Sequence, residues 1–404
     1  MTAPDTCPPK PLAGLRVLDF GHTVMGPCAG VILADLGADV VKIEPVDGDP
    51  TRRLPGFAAG FFATYNRNKR SIAIDLKRPE GRAVVHRLVA DADIVLENFG
   101  PGTIERLGCG WDDLSAINPR LIFLAMKGYL TGPYGNRGAL DEVVQMHSGL
   151  AYMTGPPGQP LRVGAPVVDI LGGVFGVVAV LAALRERDRT GLGQRVSSSL
   201  FESAAFMLAP LVAGSAVIGE PLPPMPARRN SWGVYDVFGA NDGGQVFIAC
   251  TSDGHWRRLC DAFGFDDWRD DPRLSGNAKR CEARDWMIPE LRRRLAALPL
   301  RDMLEKCEAA NVACARVGRP DELTADAQML AHGGLIPTAI SAFGGGALVD
   351  IPALPVELGD ARERPGLTRQ PPRIGEHSAE ILHAAGYDEP AVVALLAAGV
   401  VRRD

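Results

Sequence analysis

The sequence predicts an α/β fold, with a large doubly wound, Rossmann-like domain and a smaller α+β domain. Apolar strand-like runs alternate with helical periods through the first half of the 404 residues, which is typical of a parallel sheet. A proline cluster at 221–226 then interrupts the chain, and a hairpin pattern follows it. We therefore predict a large domain over 1–220, a small domain over 221–345 and a C-terminal segment over 346–404.

The first elements form a βαβ unit. Residues 15–20 are a strand candidate, and the small residues 28–36 after the next loop predict a helix that Gly37 closes. Residues 38–44 are strand-like again. Two strands joined by a helix imply parallel pairing.

The same alternation continues along the chain. In the large domain we predict helices at 79–91 and 103–108, strands at 92–97 and 121–127, and long helices at 170–187 and 199–219. In the small domain we predict a hairpin of 233–238 with 245–250, then helices at 255–262, 284–297 and 300–310. The C-terminal segment ends in helices at 378–383 and 389–398.

Composition and charge exclude several classes of protein. A net charge of −5 offers no basic field for nucleic acid, and the eight cysteines include no CxxC pair, so neither a zinc site nor a disulfide framework is expected. The longest apolar run, 170–184, is too short to span a bilayer, and no signal peptide is recognisable. We expect a cytoplasmic protein with reduced thiols, no metal and no membrane partner.

One run, Val-Val-Asp-Ile-Leu-Gly-Gly, brings the Asp169 carboxylate from an apolar segment onto two glycines. A poorly hydrated carboxylate is a candidate nucleophile or general base. Asp169 also precedes a long apolar helix, and on this segment alone helix capping is the favoured role, although the two roles are compatible.

Other common chemistries lack their motifs. The loop 21–27 after the first strand is not GxGxxG, and no GxxxxGK[ST] phosphate loop occurs, which disfavours a dinucleotide oxidoreductase. The serines at 197–199 lack a GxSxG elbow, and no histidines have HExxH spacing. Carboxylate chemistry at Asp141 and Asp169 remains. Cations for a phosphate-bearing ligand are dispersed over Arg52, Arg67, Lys69, Arg70, Lys77 and Arg106.

Seven segments in order resemble the class III CoA-transferase family, also called the CaiB/BaiF family. They are LAGLRVLDFGHTVMGPCAGVILADLGADVVKIEPVDGDPTR, NRNKRSIAIDLKRPEGR, ADIVLENFGPGTIERLG, NPRLIFLAMKGY, GPYGNRGALDEVVQMHSGL, LAALRERDRTGLGQ and IGEHSAEIL. The resemblance implies an acyl-CoA:carboxylate CoA-transferase in which Asp169 is the nucleophile and Asp141 a second, assisting carboxylate. The substrates would be an acyl-CoA thioester and a carboxylic acid, with no tightly bound cofactor.

The resemblance also implies which residues contact CoA. They are Thr23, Val24, Met25, Ile74, Asp75, Leu76, Lys77, Asn98, Phe99, Gly100 and Arg106. Two positions depart from the pattern of some transferases, with Pro45 in place of an arginine near the adenine and Val24 in place of an active-site glutamine. Both substitutions disfavour formyl or oxalate chemistry.

Alternatives within and outside the family stay open at this stage. Racemases of the family use a histidine at the position of Leu140, which cannot exchange a proton, while an isomerase, a lyase or a non-catalytic CoA-binding protein is not excluded by the sequence. The family fold implies an interlocked homodimer and a large domain built from both chain ends. Arg228 and Arg229, after the proline cluster, are candidates to bind the far carboxylate of a dicarboxylate such as succinate.

Overall fold

The computed structural model of the protein describes residues 10–228, 230–340 and 347–403. The chain divides into two compact units. One contains the residues up to Pro226 together with those from Thr324 onward, and the other is Ala227–Leu323. The stretch from Thr324 to Ile340, which the sequence prediction assigned to the small domain, belongs to the first unit because its strand packs against a helix at Phe61–Asn66.

The first unit contains a seven-stranded sheet with the order β12-β3-β2-β1-β4-β5-β6. Six neighbouring strands are parallel, and the C-terminal strand β12 is antiparallel to β3 at the edge. Their bounds are β1 Arg16–Asp19, β2 Asp39–Glu44, β3 Arg70–Ile74, β4 Ile94–Glu97, β5 Ile122–Lys127, β6 Arg195–Ser199 and β12 Val401–Arg402. The order 3-2-1-4-5-6 is that of a doubly wound dinucleotide-binding fold. The predicted fold class is confirmed.

The remaining described strands form two smaller antiparallel sheets. In the second unit β7 (Val234–Gly239), β8 (Gln245–Cys250) and β9 (Ala313–Arg316) pair in that order. In the first unit β10 (Leu335–Ile340) pairs with β11 (Ala347–Pro352).

The helices of the first unit cover both faces of the large sheet. They are α1 Met25–Asp35, α2 Phe61–Asn66, α3 Pro79–Val89, α4 Thr103–Arg106, α5 Trp111–Ile117, α6 Asp141–Ser148, α7 Leu150–Thr154, α8 Val167–Thr190, α9 Leu200–Ile218, α15 Ala327–Leu330, α16 Ser378–Ala384 and α17 Glu389–Ala397. Those of the second unit are α10 Asp253–Phe263, α11 Asp266–Arg269, α12 Asn277–Glu282, α13 Arg284–Leu295 and α14 Leu300–Ala309.

The sheet has an apolar core on each face. Val17 and Leu18 are adjacent in β1, yet they belong to different cores, because successive side chains of a strand point to opposite faces. The core around Val17 includes residues of α1 and α8, and the core around Leu18 includes residues of α3 and α16. Burial on both faces explains why the central strands are continuous apolar runs.

Besides β9, β10 and β11 of the smaller sheets, three strands of the large sheet were not predicted from the sequence. β3 is a short run directly after a polar segment, β6 is serine-rich, and β12 has two residues. All three lie at or next to a sheet edge, where less side-chain burial is needed. The strongly apolar central strands and the long helices were predicted correctly to within a few residues.

Helix α8 is longer than the apolar run at 170–184 suggested. By length and composition alone, α8 and α9 are both long and apolar enough to cross a membrane. α8 packs closely on α1, because a Cβ at Gly173 would lie 2.8 Å from the carbonyl oxygen of Met25. The glycines that follow Asp169 therefore let α8 approach the N-terminus of α1.

Candidate active site

The candidate site lies at the carboxyl ends of β1 and β4. In the order 3-2-1-4-5-6 the chain leaves these neighbouring strands in opposite directions, which opens a crevice between their loops. The loop after β1 leads into α1, and the loop after β4 carries residues 98–102. The N-terminus of α8 reaches the same edge.

Asp169 is the third residue of α8 and is half-buried. Its backbone N–H, like that of Val168, belongs to the first turn of the helix and has no partner within it. Both groups instead donate to Oδ2 of Asp141, at 3.0 Å from Asp169 and 2.8 Å from Val168. Asp141 thus caps α8 from a distant segment of the chain, and the capping role considered for Asp169 belongs to Asp141.

Asp141 is itself fixed by a side chain one turn further along α6. Its Oδ1 accepts from Gln145 Nε2 at 2.5 Å, and Gln145 Oε1 accepts from the backbone N–H of Val163 at 2.8 Å. Asp141 and Gln145 are both buried. The four-residue spacing puts them on one face of the helix, so the capping carboxylate has a single orientation.

The Asp169 carboxylate lacks the partners that usually stabilise a buried charge. Among the described residues, none donates a hydrogen bond to it and no Lys, Arg or His side chain forms an ion pair with it. Burial, then the negative charges of Asp141 and Glu142, raise its pKa from 3.8 to about 7. Near neutral pH it is therefore a basic, poorly solvated carboxylate that can ionise.

Asp169 opens into a cleft of about 150 Å³. Its polar and charged lining comes from three loops, from the end of β5 and from the N-terminal turns of α6 and α8. The lining residues used below are His22, Thr23, Met25, Asn98, Phe99, Gly100, Lys127, Arg137, Leu140 and Asp141.

A larger cavity of about 500 Å³ lies beside this cleft, at the ends of β2 and β3. It contains the complete predicted segment Ile74, Asp75, Leu76 and Lys77, together with Pro45. His22 and Phe99 line both cavities. The two spaces therefore share a wall, and a long ligand could occupy both.

Buried charges hold the loop after β1 in place. Lys42 Nζ donates to the carbonyl of Gly21 at 2.7 Å and pairs with Asp49 at 2.8 Å. Lys69 pairs with Asp19 at 2.7 Å, and Asp19 accepts from the backbone N–H of Gly21 at 2.7 Å. The positions of the loop atoms thus depend on two buried ion pairs.

The loop after β4 is fixed in a similar way. Lys127 Nζ pairs with Glu97 at 2.6 Å and donates to the carbonyl of Phe99 at 2.9 Å. Asn98 bridges to the first loop, since its amide both accepts from and donates to the backbone of His22. The two loops therefore form one hydrogen-bonded unit.

Most of the predicted site residues line these cavities, with two exceptions. The Val24 side chain is fully buried and lines neither cavity. Arg106 is exposed, lies on neither lining, and donates to Thr103 Oγ1 at 2.9 Å.

Four of the six dispersed cations turn out to have structural partners. Arg52 pairs with Glu44, Arg67 with Asp35, Lys69 with Asp19, and Arg70 with Asp39 and Glu380. Lys77 and Arg106 have no carboxylate partner among the described residues. Arg228 lies in the second unit, and Arg229 lies outside the described residues.

Sequence reasoning missed four residues of this region: His22, Lys127, Arg137 and Gln145. The spacing of Gln145 from Asp141 was the only local signal for one of them. The other three reach the site from loops or strand ends, and their proximity depends on strand order. Among the described residues, no group of three or more His, Cys, Asp or Glu side chains could hold a metal ion.

Comparisons with known proteins find relatives over nearly the whole chain. The sequence model of CoA-transferase family III matches residues 12–378. The chain is 34% identical to a succinate–glutarate CoA-transferase of Agrobacterium fabrum, over 92% of this chain and 95% of that protein. It is 32% identical to the mouse succinyl-CoA:glutarate CoA-transferase, over 98% and 91%. A CaiB/BaiF family protein from Brucella suis, 32% identical, superposes with a TM-score of 0.82, over 94% of this chain and 100% of that one.

Proposed function

Since the chain belongs to CoA-transferase family III and is an acyl-CoA:carboxylate CoA-transferase, we propose that Asp169 is the nucleophile of the transfer. The observation that carries this proposal is the Asp169 carboxylate itself. It is half-buried, has no cationic partner within the described parts of the chain, and has a pKa raised to about 7 by burial and by the charges of Asp141 and Glu142. A carboxylate paired with a cation would be a weaker nucleophile.

The reaction divides into exchanges of similar energy. The Asp169 carboxylate attacks the thioester carbonyl, a C–O bond forms, the C–S bond breaks, and the products are a mixed anhydride and the CoA thiolate. The thiolate then attacks the aspartyl carbonyl of the anhydride and releases the donor acid, which leaves an aspartyl-CoA thioester. The acceptor carboxylate attacks this thioester to form a second anhydride, and the thiolate returns to the acceptor's carbonyl and frees Asp169. Covalent relay replaces one difficult step by several easier ones.

Asp141 acts in this scheme as a positioning residue. Its carboxylate fixes the first turn of α8 through two backbone N–H groups, so the Asp169 Cα has little freedom to move. Its negative charge also keeps Asp169 basic. Both effects favour attack by the Asp169 carboxylate on the thioester carbonyl.

We assign the CoA moiety to the larger cavity and the thioester to the Asp169 cleft. This assignment is supported by the shared wall of the two cavities and by the lining of the larger one by Ile74 to Lys77. Lys77 has an exposed ammonium at its edge, which suits a phosphate. Thr23, Met25, Asn98, Phe99 and Gly100 then border the thioester end.

The acceptor that we propose is a dicarboxylate. Curated relatives are named for succinate, glutarate and malate. Arg137 supports this proposal, because its exposed guanidinium borders the Asp169 cleft, stacks 4.1 Å from the Tyr134 ring and has no carboxylate partner among the described residues. An arginine so placed can bind the far carboxylate while the near one attacks. Arg137→Met should raise the KM for succinate about tenfold and leave that for a monocarboxylate unchanged.

A direct experiment tests the nucleophile. The enzyme is incubated with acyl-CoA without acceptor, treated with hydroxylamine, digested and analysed by mass spectrometry. We expect a hydroxamate on Asp169 and none on Asp141, whose carboxylate is occupied by hydrogen bonds. Modification at neither residue, with transfer activity intact, would rule out the aspartyl intermediate.

The remaining parts of the proposal concern assembly and location. We infer a cytoplasmic homodimer, interlocked as in the family, that needs no tightly bound cofactor, nucleic acid or membrane. The homodimer is supported by large apolar side chains that are exposed along α9. Phe206 and Val212 are 67% exposed, and Val217 is 88% exposed. A solvent-facing apolar helix of this kind is typical of an interface. Sedimentation of dilute protein should give only dimer, and a folded, active monomer would contradict it.

A further inference from the structure

Arg137 borders the Asp169 cleft from the loop between β5 and α6, and an aromatic ring supports it. Its guanidinium carbon lies 4.1 Å from the centre of the Tyr134 ring. Its backbone N–H donates to the carbonyl of Tyr134 at 2.8 Å, so a tight turn brings the two residues together. Arg137 lines the cleft and Tyr134 does not. We therefore expect Tyr134 to act on a ligand in the cleft through Arg137.

The Tyr134 ring is itself held by a cluster of aromatic side chains. Its centroid lies 5.6 Å from that of Tyr129 and 5.3 Å from that of His147. Tyr129 is buried, and its hydroxyl is hydrogen-bonded to Nδ1 of His147 at 2.9 Å. Phe201 packs against both, with centroids 5.4 and 4.9 Å away. Because His147 lies in the last turn of α6, the ring is fixed relative to the helix that begins at Asp141.

The Arg137 guanidinium differs from those of the other arginines that stack on aromatic rings in the described parts of the chain. Arg52 lies 3.6 Å from the Phe62 ring, but its N–H groups donate to Glu44 and to a backbone carbonyl. The other stacked arginines likewise donate to carboxylate or carbonyl oxygens, and they are Arg87, Arg162, Arg273, Arg280 and Arg294. The guanidinium of Arg137 is hydrogen-bonded to no described residue.

Stacking and ion pairing use different parts of a guanidinium. An aromatic ring contacts its face and leaves the N–H groups at its edge free, whereas a carboxylate partner occupies that edge. The Tyr134 ring therefore holds the cation in place without neutralising its charge. The free edge can donate two parallel hydrogen bonds to a ligand carboxylate. Asp169 lines the same cleft, so the two carboxylates of one acceptor would have separate positions there.

We propose that Tyr134 is a positioning residue for Arg137 and, through it, makes the enzyme select dicarboxylate acceptors over monocarboxylates. The inference rests on the proposed function, in which Arg137 binds the far carboxylate of the acceptor. A free arginine side chain loses conformational entropy when it binds a ligand. The stacked ring reduces this loss, because it holds the guanidinium in place before the acceptor arrives. Tyr134 would thus affect binding of the acceptor and not the chemistry at Asp169.

Two substitutions separate support of Arg137 from packing of the loop. Tyr134→Phe keeps the ring face, whereas Tyr134→Leu keeps apolar volume and removes the ring. We expect Tyr134→Leu to raise the KM for succinate about fivefold, with kcat and the KM values for acyl-CoA and butyrate unchanged. Tyr134→Phe should stay within about twofold of wild type. Tyr387→Leu is the matched control and should change none of these constants, because its ring supports Arg87, which lines neither cavity.

A double variant identifies the route of the effect. Arg137→Met already removes the guanidinium, so adding Tyr134→Leu should change the succinate KM by less than about 1.5-fold, as expected for two residues that act through one interaction. A full fivefold loss in the Arg137→Met background would overturn the inference. So would a succinate KM within about 1.5-fold of wild type in Tyr134→Leu alone, or equal losses for succinate and butyrate. If Tyr134→Leu does not fold, Tyr134→Met replaces it with the same criteria.

Failure of the proposed function would give a different result. In that case Arg137→Met by itself would leave the succinate KM unchanged, or hydroxylamine would not label Asp169 in the wild type. If both of those tests succeed and the Tyr134 variants behave like wild type, Arg137 binds the acceptor without help from the ring, and only the present inference is overturned.

Discussion

Buried carboxylates occur in two regions of this protein, and the two regions treat them in opposite ways. Under the loop after β1, Asp49 is paired with Lys42, and although burial alone would raise its pKa, the ammonium lowers it to about 2. At the N-terminus of α8, Asp169 faces only carboxylates, and its pKa rises to about 7. Burial raises the pKa of both groups, and they differ because Lys42 and the hydrogen bonds from Thr51 stabilise ionised Asp49, whereas the charged neighbours of Asp169 are carboxylates.

This contrast distinguishes a carboxylate that stabilises the fold, Asp49, from the carboxylate that we propose to react, Asp169. A carboxylate with an ammonium at 2.8 Å is stabilised and has little tendency to react, so the Asp49 pair positions the loop that contains His22. A carboxylate without such a partner is destabilised when ionised and is correspondingly reactive.

A raised pKa does not by itself mark the reactive carboxylate, because burial also raises the pKa of Asp35 and of Glu97, which pair with Arg67 and Lys127. Asp169 differs from both in having no cationic partner among the described residues.

The largest effect, on kcat, is expected when Asp169 is replaced. Asp169→Asn is nearly isosteric and removes the proposed nucleophile, so kcat for transfer should fall by about a thousandfold or more. Asp188→Asn, at an exposed carboxylate near the other end of the same helix, is the control and should keep activity within a fewfold. Transfer assays with acyl-CoA and succinate measure both. An active Asp169→Asn enzyme would assign the chemistry elsewhere.

Breaking the buried Lys42–Asp49 ion pair should instead reduce the free energy of unfolding. Lys42→Met leaves Asp49 buried without its partner, which typically destabilises a protein by about 3–5 kcal/mol. Arg301→Met removes the exposed Arg301–Glu305 pair and should cost less than about 1 kcal/mol. Urea unfolding at a fixed protein concentration compares the two. Equal losses would mean that the buried pair is not a determinant of stability.

The comparison sharpens when stability is followed against pH. Because the folded-state pKa of Asp169 is raised, the native protein holds this proton more tightly than the unfolded chain, and stability is lost as pH rises from about 4 through about 7. Asp169→Asn cannot ionise, so it should be more stable than wild type at pH 8, by up to about 4 kcal/mol for a shift of about three units. The two proteins should differ little at pH 4. A gain independent of pH would contradict this reading.

The smallest expected effect tests the carboxylate pair itself. Asp141→Asn keeps an oxygen that can accept from the N–H groups of Val168 and Asp169 but removes the charge. The acid limb of kcat/KM for acyl-CoA, expected near pH 7 in the wild type, should therefore move to lower pH. An unchanged or raised midpoint would show that Asp141 acts only as a cap.

The sequence by itself determined the fold class, the central strands, the long helices and the resemblance that singled out Asp169 and Asp141. These properties follow from local periodicity and from motifs that are contiguous in the chain. The segment 74–77 and the loop 98–100, which line the two cavities, were likewise picked out because each is a continuous run.

Only the tertiary structure decided which partners these residues contact. Asp141 caps a helix that begins 26 residues later in the chain. Four of the six dispersed cations form structural ion pairs, and His22 lies against Phe99. Such contacts depend on the order of strands in the sheet and on which loops emerge at the same edge. Propensity and spacing act over a few residues, whereas burial and charge pairing act between segments that only the fold brings together.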